Sequence, residues 1–236
     1  MLKEKHIYYF LHFYFFFILV CGSLAELNKK LVAHMTGEEG ILIVIEGLDG
    51  AGLSTQAMLL ADYLRGKSKK VLLTKEPTSS PIGMLIKSAL SRNQNLSLFT
   101  LQLLFAADRA EHLEHEIEPA LGTGTIVISD RYILSSLAFG SVDNDLEFLK
   151  QINSRFRRPD LTVIIDTPPK VCLERIKKNR DNIELFEEER KLERVRSQFF
   201  VLKDYFENTF IVNGDREKEK VSKDIRELVE QRLMNS

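Results

Sequence analysis

Ten consecutive residues carry the densest chemistry in the chain: Glu46-Gly47-Leu48-Asp49-Gly50-Ala51-Gly52-Leu53-Ser54-Thr55. They follow the apolar run Ile41–Ile45 and lead into a helical pattern whose apolar side would hold Met58, Leu59 and Leu60. A strand, a glycine-rich turn and a helix make a phosphate site. The glycines let several backbone N–H groups converge on one anion, and the helix N-terminus adds partial positive charge. Ser54 falls where a hydroxyl meets magnesium. The pattern also asks for a lysine just before that hydroxyl, and Leu53 stands there instead. Such a lysine acts as a point charge on the β- and γ-phosphates, and losing one preorganised donor commonly costs about 10²–10³ in rate. The backbone cradle is unaffected, so nucleotide binding should survive better than turnover. Arg175, Lys177, Lys178 and Arg180 follow a later apolar run and could close over the phosphates. The competing reading is a glycine-rich turn that binds nothing.

Asp130-Arg131 ends another apolar run. An aspartate there is placed to hold magnesium, directly or through water, and the arginine to grip an acceptor phosphate in bidentate fashion. The same pair could equally be a plain salt bridge. Thr74-Lys75-Glu76-Pro77 either shapes a pocket floor or turns the chain. Phe105 and Arg109 share a helix face four residues apart, an aromatic to stack a base and a cation to bond it. Alternatively Phe105 is core and Arg109 pairs with Asp108 or Glu111. Glu111, His112, Glu114, His115 and Glu116 read as a solvated, charged helix end rather than a metal site. Arg155, Arg157 and Arg158 read as a solvated loop, and Cys172 as a small buried hydrophobe. No Ser-His-Asp elbow is present, and transfer between phosphates needs no covalent nucleophile.

These residues need a scaffold. Continuous apolar runs at Ile41–Ile45, Val71–Thr74, Thr125–Ser129, Leu161–Ile165 and Thr209–Val212 predict strands covered on both faces, hence a parallel sheet. Helical patterns lie between them. Ser97–Leu121 carries Leu98, Leu101, Leu104 and Phe105 on one stripe, and Pro168–Asn179, Phe186–Glu207 and Arg216–Met234 follow. The alternation predicts a doubly wound α/β domain with five parallel strands, whose ligands bind beyond the carboxyl ends of the strands. With 236 residues, 44% apolar, 28% charged and a net charge of −1, the chain can bury a core and presents no strongly basic face for nucleic acid. Two cysteines exclude a disulfide framework or a cysteine-rich metal site.

Residues 1–34 look different. Eight aromatics fall between Tyr8 and Phe17, within the 14-residue apolar run Ile7–Val20. That run is shorter than the roughly 20 residues a spanning helix needs. It could be a secretory signal or anchor, a peripheral extension, or sequence upstream of a true start at Met35. The last is the leading expectation. It makes 35–236 the folded domain, places the protein in the cytoplasm where ATP is supplied, and implies no membrane unless 1–34 is genuinely translated.

From Ile41 to about Val229 the chain resembles the thymidylate kinases, nucleoside monophosphate kinases of the P-loop type. The resemblance rests on the ordered blocks IEGLDGAGLST, TKEP, LLFAADRAEH, ISDRYILSSLAF and RPDLTVIIDTPP. It implies transfer of the γ-phosphoryl group of ATP to dTMP with Mg²⁺, giving dTDP and ADP on the route to dTTP, in a homodimer. The dimer would use the apolar faces of the helices after the second and third strands. The resemblance implies that Gly47 to Thr55 bind the ATP phosphates, with Ser54 and Asp130 at the metal. Asp49, Asp130 and Arg131 would lie near the transferred group. Phe105 would stack on thymine, Arg109 bond the base and Arg131 contact the dTMP phosphate. Lys75, Glu76, Lys87, Ser135 and Phe139 would complete the acceptor pocket.

Several positions depart from the family pattern. Besides Leu53, Lys75 and Lys87 stand where arginine is usual, and Phe139-Gly140 where Tyr-Gln is common. A lid over about 175–190 would have to supply positive charge, with Arg180 first and Arg175 next. The competing expectations are a nucleotide-binding homologue with weak or no kinase activity, a kinase of broader acceptor range, and a membrane-tethered kinase.

Overall fold

The computed structural model describes residues 40–91, 96–177 and 185–234, with backbone alone for 185–188 and 233–234. Five parallel strands form one sheet: β1 (Leu42–Gly47), β2 (Val71–Lys75), β3 (Ile126–Asp130), β4 (Leu161–Asp166) and β5 (Thr209–Asn213), in the order β2-β3-β1-β4-β5. Each of the five apolar runs became a strand, shifted by no more than two residues at either end. The reason is burial on both faces: β1 and β3 are buried along their whole length and β4 along all but its last residue. The edge strands β2 and β5 are only partly covered.

Helices flank both faces. They are α1 (Leu53–Gly66), α2 (Pro81–Leu90), α3 (Leu98–His112), α4 (Glu118–Leu121), α5 (Ile133–Gly140), α6 (Leu146–Asn153), α7 (Pro169–Lys177), α8 (Leu185–Leu202) and α9 (Lys218–Val229). The buried face of α1 is Leu53, Gln56, Ala57, Leu60, Ala61 and Leu64, so Met58, expected on the apolar side, instead points to solvent. The expected helix Ser97–Leu121 is one rod of two α-helical parts, α3 and α4, joined by a π-helical turn at Leu113–Ile117. Its stripe is less buried than the pattern implied, and Leu98 is half exposed. Helices α2 and α5 follow the second and third strands, where the resemblance implied helices without bounds, and α6 was not anticipated. Two of them begin with a local cap: Ser80 Oγ accepts from Gly83 N at 3.0 Å, and Asp145 Oδ1 from Phe148 N at 2.8 Å.

Switch-point geometry follows from the strand order. Strand β1 lies between β3 and β4, and the chain leaves its carboxyl end into the glycine turn and α1. The ends of β1, β2 and β3 are held level by the register Ile45↔Asp130 and Lys75↔Asp130. Residues distant in sequence therefore meet on one rim of the sheet, the rim where an open α/β fold binds ligands.

Candidate active site

The glycine turn starts where β1 ends. Gly52 takes φ +96° and precedes α1 with no side chain capping the first turn of that helix. The amides of that turn are thus not claimed by a cap, as an anion site requires. A Cβ on Gly52 would meet nothing within 4 Å, so the turn faces open space there. A Cβ on Gly50, at φ +82°, would lie 2.5 Å from the Cys172 carbonyl oxygen of α7. Glycine at 50 is therefore needed for the loop to lie against α7. Leu53 is 5% exposed and belongs to the core; it fills the space beneath the loop against Gly47.

Ser54 Oγ donates a short hydrogen bond to Asp130 Oδ2, and Lys75 Nζ lies 3.7 Å from the same oxygen. Asp130 is 4% exposed, whereas the Lys75 side chain is 56% exposed. Arg131 follows with φ +76°, a left-handed conformation uncommon outside glycine. Its Nη1 donates to the Gly47 carbonyl at 3.0 Å and to Ser135 Oγ at 2.9 Å. Its Nη2 donates to Asp49 Oδ1 at 2.6 Å. The guanidinium also sits 5.2 Å from the Phe139 ring centre. The structure thus joins Asp49, Arg131, Ser135 and Phe139 in one group, and Ser54, Asp130 and Lys75 in another beside it.

Joined to the first group through Ser135 is a residue that sequence reasoning named only as the start of the glycine turn. Glu46, fully buried at the end of β1, accepts hydrogen bonds from Tyr132 N at 3.0 Å and Ser135 N at 3.1 Å, and from the Ser135 hydroxyl. It supplies from a distant strand the cap that α5 lacks locally. Burial pushes its carboxyl up to about 7, against the lowering effect of Ser135 and Arg131. The available signal was a lone acid at the end of an otherwise apolar strand.

On the acceptor side, Arg109 is 1% exposed. Its Nε and Nη2 donate to Glu76 Oε2 at 2.9 and 2.7 Å, its Nη2 also to Ser136 Oγ at 2.9 Å, and its Nη1 to Asn153 Oδ1. Its ion-pair partner is Glu76, not Asp108 or Glu111. Asp108 is buried and accepts from Thr78 and Ser80 instead. His112 is a second correction. It is buried rather than solvated, with Nδ1 3.1 Å from Glu76 Oε1 and Nε2 2.8 Å from Thr74 Oγ1. His115 is exposed, as expected for that helix end. Phe105 and Lys87 are both partly exposed, on α3 and α2.

Arg175 reaches the loop at its backbone carbonyls. Its Nη1 lies 3.5 Å from the Gly50 and Ala51 carbonyls and its Nη2 3.2 Å from that of Gly214, so it braces the loop backbone. Lys178, Arg180 and the middle of the expected lid lie outside the described residues. Arg196 of α8 instead grips Asp166, at the end of β4, through two bonds of 2.6 and 2.8 Å. Among the described residues, no group of three or more His, Cys, Asp or Glu could hold a metal. Ser54 and Asp130 offer two hard oxygens at one point. That donor set suits magnesium, which takes one or two carboxylates and leaves its other positions to water and phosphate.

The thymidylate kinase family model matches residues 45–225. A probable thymidylate kinase of Pyrococcus abyssi is 42% identical over 202 residues, covering 83% of this chain and 98% of that protein. One from Pyrococcus horikoshii is 43% identical over 202 residues, with the same coverage. The thymidylate kinase of Symbiobacterium thermophilum is 38% identical over 209 residues, covering 82% of this chain and 94% of that protein. The match runs through the sheet, the glycine turn and both polar groups on its rim, and the chain belongs to the thymidylate kinase family.

Proposed function

We propose that this protein transfers the γ-phosphoryl group of ATP to dTMP, yielding dTDP and ADP. The observation that carries this reading is the meeting of Ser54, Asp130 and Lys75 beside the uncapped start of α1, with Arg131 and Asp49 adjoining. The loop amides hold the ATP phosphates. A phosphate oxygen of dTMP attacks the γ-phosphorus while the bond to the ADP oxygen breaks, and no proton need be removed from the attacking oxygen. Catalysis of such a transfer is positioning and charge neutralisation. Arg131 supplies positive charge between the loop and the acceptor, and its contacts to Gly47 and Asp49 fix where that charge stands. Ser54 and Asp130 would hold Mg²⁺, which when bound neutralises charge on the phosphoryl oxygens.

The acceptor pocket lies between α3, α5 and the end of β2. Phe105 stacks on the base and Ser135 and Phe139 line the nucleoside. Arg109 offers the base edge what its four bonds to protein leave over, from the five N–H groups of a guanidinium. Lys75 and Lys87 face the acceptor phosphate, with Glu76 setting the position of Arg109. The kinase unit is 35–236, acting in the cytoplasm as a homodimer. The exposed Met84, Leu90, Leu98, Phe99 and Leu103 support the second copy. They lie on α2 and α3, whereas α5, the helix after β3, is buried within the chain.

The test is product formation. The purified full chain with ATP and dTMP should give dTDP, measured by chromatography, faster than it phosphorylates dUMP or dGMP. Binding of both nucleotides without dTDP would overturn the reading and favour a nucleotide-binding homologue.

A further inference from the structure

Leu53 leaves the phosphate loop without its lysine, and its buried side chain has no polar atom to offer. Among the described residues, three cations touch the loop or the Ser54–Asp130 pair. Arg175 is directed at the carbonyls of Gly50, Ala51 and Gly214. Arg131 is held by Gly47, Asp49 and Ser135, with its face over Phe139. Lys75 differs from both. Its side chain is 56% exposed, and its ion pair is a loose 3.7 Å contact to Asp130 Oδ2. That oxygen is the one that accepts the Ser54 hydroxyl. The β2–β3 register, Lys75↔Asp130, fixes this placement in the sheet. The ammonium and the Ser54 hydroxyl therefore approach the same carboxylate oxygen, beside the uncapped first turn of α1. A lysine is a compact charge with three donors on a flexible stem. It can swing from a loosely paired carboxylate to a phosphate without disturbing the backbone.

We propose that Lys75 supplies, from the end of β2, the phosphate-binding charge that Leu53 does not, gripping the β- and γ-phosphates of the bound nucleoside triphosphate. This rests on the kinase reading above and extends it, because Lys75 then serves the donor nucleotide as well as the acceptor. The arrangement is a relocation of one charge across two strands of the same sheet. It requires Leu53 and Lys75 to be energetically coupled through the ligand, although their side chains do not meet.

The experiment is a double-mutant cycle on the full chain with Lys75→Met, Leu53→Lys and the pair. Calorimetric titrations with ATP alone and dTMP alone run beside dTDP formation. Lys75→Met should weaken ATP binding by about tenfold and lower the rate by about a hundredfold, in addition to whatever dTMP affinity it loses as a residue of the acceptor pocket. Leu53→Lys should restore ATP affinity in the Lys75→Met chain and add little to the native one. ATP affinity unchanged by Lys75→Met, loss confined to dTMP, or strictly additive effects would each overturn the proposal. Leu53 is a core residue, so Leu53→Lys could fail to fold. In that case the two titrations of Lys75→Met decide alone, with thermal unfolding showing that this exposed-site variant is folded. If the native chain makes no dTDP but the ATP pattern holds, the kinase reading falls and the Lys75 assignment stands. If dTDP forms and ATP affinity ignores Lys75, the reverse is true.

Discussion

Glu46 shows how one side chain ties the chemistry to the scaffold. Its carboxyl caps α5 from inside the sheet, and burial raises its pKa from 4.5 in the unfolded chain to about 7. Between those values the folded protein holds a proton that the unfolded chain has released. Stability from this group is therefore greatest below about pH 4.5 and declines as pH rises through 7, by about 3 kcal/mol in all. Urea titrations across that range should show the decline in the native protein, and Glu46→Gln should remove this component of the slope. The glutamine keeps an oxygen for the two backbone amides and an NH₂ for the Ser135 hydroxyl. In the sequence the acid was visible as a charge closing an apolar strand. Its partners were not, because Tyr132 and Ser135 lie 86 and 89 residues away. The same distance problem hid Glu76 from Arg109, where only the neighbouring acids Asp108 and Glu111 had been considered.

Elements were legible in proportion to how completely they are buried. All five strands were found because burial on both faces forces unbroken apolar runs. Helix α5 was implied only by the resemblance and not by the residue pattern, because its Ser135-Ser136-Leu137-Ala138 stretch is buried on nearly every side and carries no polar stripe. In the α3–α4 rod, the π-helical turn at Leu113–Ile117 shifts the phase of the face that points inward. His112, just before that turn, was read as solvated because acids surround it in sequence. It instead joins three elements, bonding Thr74 of β2 and Glu76 of the following loop from α3. His112→Ala leaves a buried carboxylate oxygen without its donor, and thermal unfolding should report a loss of about 1–3 kcal/mol. His112→Gln should lose less, since its amide can keep one of the two bonds.

Whole-molecule behaviour depends on surfaces that a single chain does not bury. Met84 and Leu103 are 56% and 42% exposed on α2 and α3, two helices that pack together. In the proposed homodimer this is the face that a second copy would cover. With a second copy covering the face, the protein should sediment as a dimer. The chain carrying Met84→Glu and Leu103→Glu should sediment as a monomer in analytical ultracentrifugation, because each interface would have to bury four unpaired carboxylates. Among the described residues no helix is long and apolar enough to cross a membrane. The apolar run at Ile7–Val20 lies outside the described residues.

Cys172 carries a consequence of the packing beneath the phosphate loop. Its backbone carbonyl is the atom that keeps Gly50 a glycine, and its own thiol is buried and pushed up to about 12 by that burial. A sulfur both shielded and protonated meets an alkylating reagent only when the packing around α7 opens. Its labelling time is thus a clock for the opening of α7 beneath the loop, and ATP, if it occupies the loop as proposed, should slow that clock.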